Sequence, residues 1–200
     1  MGWASCSHSG TGHAALPDPR AVDKSVPEYK NPFHPSTYAH FVARKDYRKT
    51  YDVYKDDTLL NRQPKKSRKI FVCLDEQRGQ YLVDGLVAMD FPLSSGVKAY
   101  PTKTGDYAVI SKKEDHTSNL YGKMYDAEGK CINYNAESTD PIPEGGRFDG
   151  SPMPYWQRLT NAGLGLHVGK VRRHPVSHGC VRLPRNVAEI LYRQTSIGTP

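Results

Sequence analysis

From residue 69 onward, short apolar runs alternate with polar turns, and the runs read as β-strands over 69–74, 80–83, 86–93, 106–112, 123–125 and 130–134. Lys69-Ile70-Phe71-Val72-Cys73-Leu74 is nearly continuous in apolar residues, the texture of a buried strand in which Cys73 acts as a small apolar filler. Val83-Asp84-Gly85-Leu86 carries an Asp-Gly pair, which tolerates the positive φ angles of a two-residue hairpin loop. After Pro184 the period changes: Val187, Ile190 and Leu191 recur at i, i+3 and i+4 and predict one C-terminal helix, ending before Gly198. In Leu164-Gly165-Leu166-His167-Val168-Gly169 strand alternation puts the leucines and Val168 on one face and His167 with its two glycines on the other. His167 therefore faces away from the apolar side, on a face that glycine leaves uncrowded.

Upstream the texture differs. Residues 1–36 are poor in branched apolar residues and hold Pro17, Pro19, Pro27, Pro32 and Pro35, which predicts an extended or disordered arm. Residues 37–67 read as a linker in which Tyr47, Tyr51 and Tyr54 fall at helical spacing and predict one short helix. The main domain is expected over 68–200, with a Gly- and Pro-rich stretch at 139–154 forming a long loop over a cleft. A chain of 200 residues supports one sizeable domain plus an arm. It has no run of eighteen apolar residues and no charged start with an apolar segment behind it. Ala4-Ser5-Cys6 matches the tail of a bacterial lipoprotein cleavage site, which makes Cys6 a candidate for lipidation and a membrane tether.

The net charge of +7 favours anionic partners: nucleic acid, acidic membrane surface or polyanionic cell-wall polymer. No zinc-finger spacing or RNA-binding aromatic signature accompanies the scattered basic residues, which argues against nucleic acid. Four cysteines (Cys6, Cys73, Cys131, Cys180) show no C-x-x-C pairing, so neither a zinc ribbon nor a thioredoxin-type redox pair is indicated. A Cys73–Cys131 disulfide stays open at this level. The chemistry concentrates in Ser177-His178-Gly179-Cys180-Val181-Arg182-Leu183. A thiol is a nucleophile only as thiolate, and an imidazole is the usual means of making one near neutral pH. Two imidazoles qualify, His167 and His178. The rival reading is zinc held by His167, His174, His178 and Cys180.

Ser177 to Leu183, with His167 upstream, resembles the active-site signature of the L,D-transpeptidases of bacterial cell-wall synthesis, the YkuD-like catalytic domain. Tyr100-Pro101-Thr102-Lys103-Thr104-Gly105-Asp106-Tyr107 resembles the Thr-Pro-x-Gly segment of these domains, and Met153-Pro154-Tyr155-Trp156 the stretch before the first histidine in the subgroup with His-x-Gly. The resemblance implies a mainly β fold, a YkuD-like β-sandwich or mixed-sheet domain with a C-terminal helix, and a last strand where this chain reads Gly198-Thr199-Pro200. It implies Cys180 as nucleophile, His167 as base and acid oriented by the Val168 or Gly169 carbonyl, and His178 as its neighbour in the motif. Backbone N–H groups around Gly179 and Cys180 would form the oxyanion hole. Substrate would meet Arg182, Ser177 and Tyr155, with Lys170, Arg172 and Arg173 attracting its carboxylates. The implied substrates are peptidoglycan stem peptides, handled by a monomer in the cell envelope with no metal or organic cofactor. The implied reaction is acyl transfer to an amine after release of D-alanine; water as acceptor would make a carboxypeptidase, and a catalytically silent wall-binding domain is the remaining alternative.

Overall fold

The computed structural model describes residues 2–3, 33–64 and 67–200, and over them the fold is mainly β with a C-terminal helix. In chain order the elements are β1 (Gly2–Trp3), α1 (Tyr38–Val42), β2 (Tyr54–Lys55), α2 (Asp57–Leu60), β3 (Arg68–Cys73), β4 (Arg78–Val83), β5 (Leu86–Pro92) and β6 (Gly105–Asp106). They continue through β7 (Ser111–Lys113), β8 (Thr117–Tyr125), β9 (Cys131–Glu137), β10 (Arg147–Pro152), β11 (Trp156–Arg158), β12 (Gly165–Val168), β13 (Val181–Leu183) and α3 (Arg185–Gln194). The lipidation reading of Cys6 and most of the proposed arm lie outside the described residues. No helix of the described residues is long and apolar enough to cross a membrane.

Two four-stranded sheets, ordered β2-β5-β4-β3 and β13-β12-β11-β7, enclose the core. The first contributes Ile70, Val72, Tyr81, Val83, Met89, Phe91 and Leu93, the second Leu166, Val181 and Leu183, and α3 closes the cluster with Val187, Ala188 and Leu191. The Asp84-Gly85 turn forms as its residue types dictate, with φ of 52° and 83°. β12 pairs parallel with β13 and antiparallel with β11, so the second sheet is mixed. The run expected at 106–112 is broken into β6 and β7, while the strand expected at 123–125 extends back to Thr117 as β8. Residues 198–200 lie along the sheets: Gly198 donates to the Val109 carbonyl at 2.8 Å, and Ile70 donates to that of Pro200 at 3.0 Å.

Residues 33–60 pack on the first sheet around one buried ion pair. Arg78 and Asp90, 2% and 0% exposed, form an ion pair of 2.6 Å. The hydroxyls of Tyr38 and Tyr47 each donate to the second carboxylate oxygen of Asp90 at 2.8 Å, and the Arg78 guanidinium caps the carbonyls of Thr50 and Asp52 at 3.2 Å. This satisfaction of both buried ions explains why Tyr47, Tyr51 and Tyr54 do not share a helix. Tyr47 turns inward to Asp90, Tyr51 stays exposed, and Tyr54 joins β2; the short helix is α1 instead.

The third sheet, ordered β10-β8-β9, comes partly from the stretch expected to be a loop. Its glycines allow close strand approach: a Cβ on Gly150 would lie 2.0 Å from the Ser118 carbonyl oxygen. Cys73 is disulfide-bonded rather than a filler, while Cys131 and Cys180 are free thiols, so the Cys73–Cys131 pair is not formed.

Candidate active site

Strand register brings the chemistry together. Across the second sheet, Lys113 of β7 pairs with Trp156 of β11, and Gln157 pairs with Leu166 of β12, which sets Trp156 beside His167 with ring centroids 6.0 Å apart. His167 in turn pairs with Arg182 of β13. One face of the sheet thus presents, in a row, an ammonium, an indole, an imidazole and a guanidinium, while Leu166 points into the core from the opposite face. Gly165 makes room for this row: a Cβ there would stand 2.5 Å from the Trp156 ring.

The loop carrying Cys180 is fastened to the segment that leaves β5. Bridges join Ser94 to Arg182 and Gly96 to Ser177. The Thr102 hydroxyl donates to the Gly179 carbonyl at 2.6 Å and accepts from the Gly96 N–H at 2.8 Å, which ties both strands of this crossing through one buried side chain. Any side chain at Gly96 would collide with Tyr100 and with the Gly179 backbone, and Gly179 holds φ at +109°. Ser177 braces the turn from within, its hydroxyl donating to the Cys180 carbonyl at 2.5 Å and accepting from the Gly179 N–H at 3.2 Å. Of the two N–H groups expected at the oxyanion position, that of Gly179 is therefore engaged, and that of Cys180 makes no hydrogen bond among the described residues.

His167 is 7% exposed, and its Nδ1–H donates to the Val168 carbonyl at 2.7 Å. The neutral ring then carries its lone pair on Nε2. Burial pushes its pKa down to about 4, partly opposed by the hydrogen bond to that carbonyl, and the charges of Arg182 and His116 push the same way as burial. Burial raises the Cys180 thiol, while a Gly165 backbone hydrogen bond and Arg182 partly offset it. The thiol points toward the Gly163 carbonyl, 3.4 Å away. Both shifts oppose a resting thiolate–imidazolium pair, so near neutral pH the two groups stand as thiol and imidazole.

These residues line one cavity of about 860 Å³. It is lined by Trp156, Arg158, His167 and Arg182 from the second sheet, by Ser177 to Cys180 from the nucleophile's loop, and by Leu120, Tyr121 and Tyr134 from β8 and β9. His178 is committed to aromatic stacking, parallel to Tyr121 at 4.3 Å and edge-on to Tyr100 at 4.8 Å. Tyr155 packs against Tyr192 and the core, and Trp156 is the aromatic of that pair that reaches the cavity. Lys170, Arg172 and Arg173 do not line it; Arg173 instead donates to the Glu76 carbonyl. Sequence reading gave no role to His116 and Arg158, which line the cavity, or to Thr102, whose hydroxyl ties the Cys180 loop beside it. Only Arg158 had a readable signal there, the i, i+2 spacing that puts it on the face of Trp156. Among the described residues no group of three or more His, Cys, Asp or Glu side chains is placed to hold a metal ion, so the four zinc ligands considered above are not gathered.

Residues 67–200 match the family described as the L,D-transpeptidase catalytic domain, YkuD. A probable L,D-transpeptidase 3 of Mycobacterium tuberculosis is 31% identical over 116 residues, covering 54% of this chain and 36% of the relative. Among solved structures, an L,D-transpeptidase from Mycobacterium smegmatis is similar with a TM-score of 0.51 and 21% identity, covering 66% of this chain and 56% of that one. The L,D-transpeptidase LdtMt1 in complex with imipenem gives 0.50 and 20% over the same shares, 66% and 56%. The chain thus spans about a third of the curated relative and just over half of each solved structure.

Proposed function

Because the chain belongs to the YkuD family of L,D-transpeptidase catalytic domains, we propose that it is a cysteine acyltransferase acting on peptidoglycan stem peptides, with Cys180 as nucleophile and His167 as base and acid. The observation that carries this reading is the tautomer of His167. With Nδ1–H held by the Val168 carbonyl, the lone pair of Nε2 is the ring's acceptor, in the cavity that Cys180 also lines.

The neutral resting pair implies general-base attack. As the Cys180 sulfur adds to the carbonyl between an L-configured residue and the terminal D-alanine, its proton passes to Nε2 of His167, and the carbonyl oxygen takes up negative charge. The Cys180 N–H is the donor left for that charge. Collapse breaks the C–N bond, His167 returns the proton to the departing D-alanine amine, and a thioester remains. An incoming amine, such as the side-chain amino group of diaminopimelate on a second stem, repeats the sequence and regenerates the thiol. His178 and Ser177 hold the loop, and Arg182, with no ion pair among the described residues, is free to take a substrate carboxylate. The disulfide of Cys73 supports an exported protein of the cell envelope, where such bonds persist.

Incubation with disaccharide-tetrapeptide followed by mass spectrometry tests the reading. A cross-linked dimer lacking one alanine, absent with Cys180→Ala, is expected; tripeptide alone would make water the acceptor, and unchanged substrate would refute the proposal.

A further inference from the structure

Among the described residues the cavity is lined by Lys103, Arg158 and Arg182 with His116, His167 and His178, and by no aspartate or glutamate, Glu137 lying near enough to His178 to act on it. Four of these groups form two pairs. Arg182 pairs with His167 and acts electrostatically on Cys180. Arg158 lies two residues beyond Trp156 on β11, where it pairs with Gly165 on one side and Ser111 on the other. The His116 ring packs on Trp156 with centroids 5.0 Å apart, and Arg158 and Lys113 are near enough to disfavour its protonation further, after burial.

Each member of this second pair keeps one buried nitrogen without a partner among the described residues. The Nε of Arg158 and the Nδ1 of His116 are buried without a hydrogen-bond partner among the described residues, and the Arg158 guanidinium forms none of the ion pairs found there. Its backbone is held in a central strand, so the planar fork is presented from a rigid base, in the manner that suits a carboxylate. A half-buried guanidinium near an imidazole, with no ion pair of its own among the described residues, leaves its counter-charge to the ligand.

We infer that Arg158, flanked by His116, forms a second carboxylate subsite distinct from Arg182, which recognises a carboxylate on a side chain of the donor stem rather than that of the departing D-alanine. The inference rests on the reading that this cavity takes stem peptides. A diaminopimelate-containing tetrapeptide satisfies it; the same peptide with the diaminopimelate side-chain carboxylate amidated does not.

Binding decides it without depending on turnover. Titration calorimetry of the Cys180→Ala protein is expected to show the acid peptide binding at least about tenfold more tightly than the amide, the size of one lost charge-assisted hydrogen bond. Adding Arg158→Gln should abolish that preference, the acid peptide losing far more affinity than the amide, and Arg158→Lys should restore part of it. Equal affinity of the two peptides for the Cys180→Ala protein, or a preference that survives Arg158→Gln, overturns the subsite. Should Arg158→Gln fail to unfold cooperatively, the same comparison on His116→Gln applies, where an undiminished preference overturns the part given to His116. D-alanine release by the unmutated protein is measured beside it, so that loss of the subsite and loss of the proposed reaction give different results.

Discussion

Acid should destabilise this protein through His167 in a way that can be isolated. The ring's ordinary pKa is 6.5 and burial pushes it down to about 4 in the fold. Above about pH 6.5 the ring is neutral in folded and unfolded chains alike, so its contribution does not vary with pH. Between 6.5 and 4 the unfolded chain binds a proton that the folded chain refuses, and stability falls with pH; below 4 both states carry the proton and the decline ends. A gap of about 2.5 pH units at about 1.4 kcal/mol each gives about 3 kcal/mol in all. Urea unfolding of wild type and His167→Gln at about pH 7 and about pH 4.5 reads the difference: wild type should lose about 2–3 kcal/mol more than the variant across that interval. Ring titration by NMR should place the midpoint near 4. Identical pH dependence in both proteins, or a midpoint near the ordinary value, would refute the assignment of His167 as a buried neutral base.

Other expectations follow from single contacts. Thr102→Val removes the hydroxyl that joins Gly96 to Gly179 and should lower stability by about 1–3 kcal/mol and the rate of Cys180 acylation by about tenfold or more; an unaltered rate would show that the loop is held otherwise. Asp90→Asn leaves Arg78 buried without its counter-ion and should cost about 3–5 kcal/mol in urea unfolding, and a loss under about 1 kcal/mol would mean that the pair is not desolvated. Gly165→Ala puts a methyl group against the Trp156 ring and the Gln157 carbonyl, so both the unfolding midpoint and acylation should fall, and wild-type values of both would contradict the packing.

Local signals carried the scaffold and the motif. Apolar runs located β3, β4 and β5, the Asp84-Gly85 pair located their hairpin, and alternation put His167 opposite the core face of β12. What stayed hidden depends on partners distant in sequence. Thr102 is an unremarkable polar residue until Gly96 and Gly179 close on it, and His116 acquires a setting only when β8 folds over the cavity. Composition misled at 139–154, where glycine and proline read as loop although the glycines are what let β10 approach β8. The helical spacing of Tyr47, Tyr51 and Tyr54 misled because a buried carboxylate on β5 recruits the first of them.

The stitching of residues 94–102 to 177–182 has a consequence for how the protein matures. Its bridges, Ser94 to Arg182 and Gly96 to Ser177, join positions more than about 80 residues apart, contacts that form only after a long loop has closed. Until then Cys180 is an ordinary exposed thiol, richer in thiolate at neutral pH than the finished site, whose burial raises its pKa. Folding thus turns an indiscriminate thiol into a guarded one, and alkylation by a small reagent should proceed faster as the chain unfolds, marking immature molecules rather than active ones.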